Sequence, residues 1–222
     1  VSWRRVLVLV EGQTEELFVK RLLAPHLAPH QVQLRPTIVE TKRPAAGPPF
    51  KGGVTKYSHV KRDLKYLLHD TDAAIITTML DYYALPEDFP GYCEAISGDY
   101  AARVSHLEQA LAEDIGSHRF VPYLQVHEFE ALLFVQPQSI THPFGDPSGQ
   151  FARRLQAARD TFRSPEEIDN EPETCPHRRI RDIYPGFSKK LHGPMIAQEI
   201  GIEAMRRECS HFNEWLSRLE AV

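Results

Sequence analysis

The chain has 222 residues, of which 42% are hydrophobic and 25% charged, and a formal net charge of −4. That is long enough for a sizeable core and too apolar for a disordered chain, and its charge excludes a global electrostatic pull toward nucleic acid. With no apolar run of about 18 residues no membrane span is expected, and the three widely spaced cysteines with no signal-peptide pattern point to a reducing, cytoplasmic setting.

The first element reads Arg4-Arg5-Val6-Leu7-Val8-Leu9-Val10-Glu11-Gly12-Gln13-Thr14-Glu15-Glu16. Its unbroken apolar run predicts a strand buried on both faces, as in the centre of a parallel sheet. Glu11 closes the strand and Gly12 suits a tight turn. Thr14 is the expected N-cap of a helix reaching residue 26, which Pro25 and Pro29 end.

Residues 32–39 are the next strand, and Pro36 places it at a sheet edge. Residues 42–56 form a long loop rich in Pro and Gly. Its Lys42, Arg43, Lys51 and Lys56, with Lys61, Arg62 and Lys65 on the helix over 57–69, are the clearest basic stretch. It reads equally as a solvated loop or as a phosphate-contacting one. Residues 73–80 are a third strand ending in Asp81, 99–114 a helix, and 120–126 a fourth strand running into His127-Glu128-Phe129-Glu130.

After Val135 the texture changes. A Pro- and Gly-rich connection (136–149) leads to a helix (150–163), an acidic loop (164–176), short helices at 178–184 and 194–200, and an amphipathic helix over 202–219. Strands separated by helices predict an α/β fold: a mainly parallel sheet flanked by helices, with a helical C-terminal extension. Residues 1–135 form the core and 136–222 the extension packed on it.

Strand-like segments thus end in Glu11, in Asp81, and in Glu128 and Glu130. In a parallel sheet these acids meet at the edge where α/β folds bind ligands. Neighbouring carboxylates repel unless a cation sits among them, and Mg²⁺ or Mn²⁺ held this way supports phosphodiester cleavage. Cys175-Pro-His177 and Cys209-Ser-His211 also present four ligand types for structural zinc, at tighter spacing than usual zinc motifs; two buried cysteines with unrelated histidines is the simpler reading. His127 reads equally as a partner orienting a metal ligand or as a strand-end cap. The basic run His177-Arg178-Arg179 with Arg181 suits phosphate, or ion pairs with the acids just upstream at 166–173. No phosphate-binding glycine loop is present, so the chain should not hydrolyse ATP alone.

Val10-Glu-Gly-Gln-Thr-Glu15 after a buried strand, with Asp81 ending a later one, resembles the Toprim domain of topoisomerases, bacterial primases and OLD-family nucleases. The stretches Met79-Leu-Asp-Tyr-Tyr-Ala-Leu-Pro86, His127-Glu-Phe-Glu-Ala-Leu-Leu-Phe134, Pro176-His-Arg-Arg-Ile180, Tyr184-Pro-Gly-Phe-Ser-Lys189 and Cys209-Ser-His-Phe-Asn-Glu-Trp-Leu216 resemble more closely a bacterial Toprim-like family designated a domain of unknown function. The resemblance implies a Toprim-like fold and a Mg²⁺- or Mn²⁺-dependent nuclease acting on DNA or RNA. It implies Glu11, Glu15, Asp81 and a late lysine, Lys189, as catalytic groups, with Lys190, Lys51 and Lys56 as further candidates. The expected metal ligands are Glu11, Asp81, Glu128 and Glu130, and the expected nucleic-acid contacts are Lys42, Arg43, Lys51, Lys56, Arg178 and Arg179.

It also implies a partner ATPase and a place in phage defence. One departure stands out. The second Asp of the Toprim Asp-x-Asp pair is replaced by Tyr83, and Asp88, Glu128 or Glu130 is left to supply the missing ligand. Two other readings therefore stay open: a non-catalytic binding module serving a partner, and an enzyme acting on small nucleotides or in RNA processing.

Overall fold

The computed structural model describes residues 2–42, 50–51, 53–94, 99–168 and 174–222. Its first strand, β1 (Arg4–Val10), leads into α1 (Gln13–Phe18), a wider π-helical turn (Val19–Leu23), α2 (Ala24–Leu27) and then β2 (Val32–Ile38). Two short strands, β3 (Glu40–Lys42) and β4 (Phe50–Lys51), pair antiparallel. Next come α3 (Tyr57–Leu68), β5 (Ala73–Asp81), α4 (Tyr100–Ile115), β6 (Phe120–Val121) and β7 (Leu124–Gln125). Helical elements follow: a 3₁₀ segment (Phe129–Val135), α5 (Pro137–Thr141), α6 (Gln150–Arg159), α7 (Pro176–Ile183), α8 (Lys189–Ile200), α9 (Ile202–Glu208) and α10 (Ser210–Glu220).

The main sheet runs in the order β2-β1-β5-β6, with β7 also on β5, and every pairing in it is parallel. The fold is therefore an α/β sheet flanked by helices with a helical C-terminal segment. β1 is central, which explains its unbroken apolar run. Val6, Val8 and Val10 face one core with Phe18, Phe129, Phe212 and Trp215, while Leu7 and Leu9 face another with Val60, Leu64, Leu107 and Leu111. Burying both faces of a strand is what such a run encodes. Among the described residues, no helix is long and apolar enough to cross a membrane.

Several expected boundaries move, each for a local reason. The first helix is capped at Gly12 rather than Thr14, because the Glu15 carboxylate reaches back to accept the Gly12 N–H at 2.8 Å. It does not end at Pro25; the π-helical turn precedes the proline and the helix continues to Leu27. The expected strand over 120–126 is two fragments interrupted at Pro122, which has no N–H for a ladder. The helix expected from residue 194 starts at Lys189, capped by Ser188, and carries Pro194 inside it. The final helix is broken at the buried Cys209 into α9 and α10. β2 lies at the sheet edge, as Pro36 requires.

Candidate functional site

The carboxyl ends of β1 and β5 are stitched together by their own acids. The Glu11 N–H donates to the Met79 carbonyl at 3.1 Å, and Glu11 Oε2 accepts the Asp81 N–H at 3.0 Å. Asp81 Oδ1 in turn accepts the Phe129 N–H at 2.9 Å. A chain of three backbone-anchored bonds thus ties β1, β5 and the segment after β7. Glu15 lies one turn into α1, buried, its carboxylate on the Gly12 N–H.

The segment after β7 reverses sharply. His127 is fully buried and holds φ at 60°, a left-handed conformation a non-glycine residue rarely adopts. Its carbonyl accepts the Tyr83 N–H at 2.8 Å, and its ring packs at 4.3 Å from Tyr100. This turn sends Glu128 and Glu130 back toward Asp81. Glu128 Oε1 accepts the His177 N–H at the start of α7. Its other oxygen lies 2.8 Å from Lys189 Nζ, and Glu130 Oε2 lies 2.7 Å from the same ammonium. Glu130 is 0% exposed, and among the described residues its Oε1 has no hydrogen-bond partner.

Lys189 is brought in by the helix behind it. One turn along α8, Gly193 packs so closely that a Cβ there would lie 3.2 Å from the Phe129 ring and 3.3 Å from the Thr14 methyl. Residues four apart share a helix face, so this close approach presses Lys189 toward the acids.

Five buried or half-buried carboxylates around one cation are electrostatically unusual. Burial and then the Glu15 charge push Glu11 up to about 7. Burial raises Asp81 well above its ordinary range, with the Glu11 and Glu15 charges adding to it. Burial pushes Glu130 up to about 8 against the opposing pull of Lys189. Glu15 is also raised by burial, with the Gly12 N–H working the other way. For Lys189 burial opposes the charge, but Glu130, Glu128 and Asp81 outweigh it and hold the ammonium firmly protonated. Such clustered perturbation is typical of functional sites, although structural ion networks share it.

As donors these groups are hard carboxylate oxygens, the type Mg²⁺ and Mn²⁺ prefer, and the Glu130 oxygen left unbonded among the described residues fits that role. Yet no group of three or more His, Cys, Asp or Glu side chains among the described residues is gathered to hold a metal ion as it stands. The Lys189 ammonium supplies the positive charge instead.

The structure thus brings together Glu11, Glu15, Asp81, Glu128, Glu130 and Lys189. Lys190 is exposed beside Lys189 on α8. Arg178 is exposed on α7 and pairs with Asp182 at 3.0 Å, whereas Arg179 turns away, its Nε donating to the Thr174 carbonyl and its guanidinium lying 5.8 Å from the Phe162 ring. Lys56 is exposed at the N-cap of α3, Asp88 accepts the Tyr57 N–H rather than joining the acids, and Lys42 and Lys51 lie on β3 and β4. Arg43 lies outside the described residues, as do Asp169, Glu171 and Glu173 of the acidic loop. Of that loop's other acids, Glu166 caps α10, accepting the His211 and Phe212 N–H groups at 3.1 and 3.0 Å. Cys175 and Cys209 are free and buried. The sequence carries no signal for the close approach at Gly193 or the left-handed backbone of His127, and it places His177 in a Cys-x-His pattern and a basic run rather than beside Glu128.

Residues 10–220 match a family described as Domain of unknown function (DUF4276). The chain belongs to the DUF4276 family. Its matched region takes in every member of the acid cluster from Glu11 to Lys189. Among solved structures, the DUF4276 chain is similar to the C-terminal region of the Burkholderia pseudomallei OLD protein, at 13% identity over 99% of this chain and 98% of that one, with a TM-score of 0.46. It is also similar to the C-terminal region of the Xanthomonas campestris pv. campestris OLD protein, at 16% identity over 96% and 94%, with a TM-score of 0.40. A search of curated proteins finds no match.

Proposed function

We propose that this DUF4276 chain is a Toprim-type, Mg²⁺- or Mn²⁺-dependent phosphodiester hydrolase, a nuclease of DNA or RNA. The observation that carries the reading is the convergence of Glu11, Asp81, Glu128 and Glu130 with Lys189 at the carboxyl edge of a parallel sheet. Those four acids would hold the metal, which when bound would polarise the scissile phosphate and activate water. Glu11 or Glu15 assists proton transfer from the attacking water. Lys189 offsets charge on the phosphate as the phosphorus–oxygen ester bond breaks, and the leaving oxygen takes up a proton. Exposed Arg178, Lys56 and Lys190, with Lys42, Arg43, Lys51 and Arg179, would contribute backbone contacts.

A second reading, the non-catalytic module, is favoured by two observations: Lys189 already balances the acids, and no metal-ready group is assembled among the described residues. We extend both readings to a partner ATPase and a role in phage defence, on the sequence resemblance to OLD-family nucleases.

Cleavage of plasmid DNA and of RNA with Mn²⁺ decides between the two. The nuclease reading predicts cleavage that Glu11→Gln and Asp81→Asn each reduce by about 100-fold or more, the usual scale for loss of a charge-stabilising group. Cleavage equal in wild type and both variants sinks it. An inert wild type that co-purifies an ATPase supports the binding module.

A further inference from the structure

We propose that Tyr83 is a stacking platform for an unpaired nucleobase, making single-stranded nucleic acid the substrate class of the acid cluster; this rests on the nuclease reading above. Asp81 is followed by one 3₁₀ turn, Tyr82–Ala84, that sends its two tyrosines to opposite environments. Tyr82 is 8% exposed and packs 6.3 Å from Tyr100 and 6.4 Å from His127. Tyr83 is 45% exposed. Among the described residues, its side chain makes no hydrogen bond or ring contact.

Its backbone is nevertheless fixed. The Tyr83 N–H donates to the carbonyl of His127 at 2.8 Å, so the ring is rooted between the segment bearing Asp81 and the one bearing Glu128 and Glu130. An immobile root with a free ring is the arrangement a stacking partner needs, because little backbone order remains to be lost on binding.

The location selects the ligand. Trp3 is also exposed, but it precedes β1 at the opposite edge of the sheet, and exposed Tyr66 lies on α3. Tyr83 instead stands two residues from Asp81 in the chain, with its N–H bonded to the residue before Glu128. Further along the same loop Glu87 and Asp88 are exposed and charged, unlike the packed apolar surround of an aromatic hot spot at a protein interface. In a chain of net charge −4, phosphate attraction is weak, and ring–base stacking supplies sequence-tolerant affinity. A duplex covers its base faces, so only an unpaired base can use the ring.

The test uses the full chain as wild type, Tyr83→Ala, Tyr83→Phe and Tyr66→Ala, with a short single-stranded DNA carrying 2-aminopurine and the matching duplex. Wild type should bind and cleave the single strand in preference and quench the 2-aminopurine. Tyr83→Ala should lose the quenching and about 5- to 100-fold in single-strand affinity. Tyr83→Phe, which keeps the aromatic face, should retain both, and Tyr66→Ala should match wild type. Equal affinity for single strand and duplex, or quenching that survives in Tyr83→Ala, overturns the platform while active cleavage leaves the nuclease reading standing. A wild type that neither binds nor cleaves either form, made as DNA and as RNA, overturns both. Unchanged oligonucleotide binding in Tyr83→Ala together with loss of a co-purifying protein overturns the platform in favour of a protein-docking role.

Discussion

The ammonium of Lys189 sits 2.7 Å from the carboxylate of Glu130, a side chain with no exposed surface. Lys189 comes from the C-terminal helical segment and Glu130 from the turn after the sheet, so the charge balance of the site spans distant parts of the chain. Removing the lysine leaves buried carboxylates without a counter-charge. Lys189→Ala should therefore lower stability at pH 8, toward the low end of the about 3–5 kcal/mol typical of breaking a buried pair, since Lys189 is 37% exposed and partly screened. Urea unfolding checks this, and the loss should shrink at pH 5, where the acids take up protons.

Glu130 itself should make stability fall with pH. Its value is raised from 4.5 to about 8 in the folded chain, chiefly by burial. A raised carboxyl favours the folded state while protonated, so its contribution is full below its ordinary value and is lost as pH rises through about 8. Glu130→Gln is neutral throughout and should flatten the fall in Tm between pH 5 and 9, and be the more stable of the two at pH 9. A variant with the same slope as wild type refutes this.

His211, on α10, gives an independent pH signature. Burial alone would lower it, but the Glu108 carboxylate, 2.9 Å from Nε2, raises it above its usual range. A raised histidine stabilises the fold below its unfolded value, and that stability is lost as pH rises through the folded one. Glu108→Gln should remove this component, seen as a smaller difference in Tm between pH 6 and pH 8.

Gly193 should be intolerant of even one methyl group. A Cβ there meets Phe129 at 3.2 Å and Thr14 at 3.3 Å, so Gly193→Ala must push α8 away by a few tenths of an ångström. The gain in helix propensity, about 1 kcal/mol, should be outweighed by that displacement. Differential scanning calorimetry should show a lower Tm, where an ordinary exposed glycine in a helix would give a higher one.

The acids of the site were legible because strand ends are. An apolar run closing on a carboxylate marks both a strand and its carboxyl edge, and β1 with Glu11 and β5 with Asp81 follow that pattern. Glu128 and Glu130 were visible as charges in an otherwise apolar stretch. Lys189 was singled out only through the family resemblance, since one lysine in a chain of 26 basic residues carries no local signal. His127 and Gly193 were not legible. The first adopts its left-handed turn under buried tertiary packing, and the second matters only through what it approaches. The cap at Gly12 was missed for a related reason: Glu15, buried against the site, overrides the intrinsic preference of Thr14.

A metal-dependent nuclease requires that the carboxylates around Lys189 take a divalent cation. Titration of Mn²⁺, followed by its electron paramagnetic resonance signal, reads this directly. Wild type should bind saturably, and Asp81→Asn about 10-fold or more weakly, on the scale of losing a group that supports the metal. No saturable binding to wild type, or equal affinity in Asp81→Asn, would contradict it.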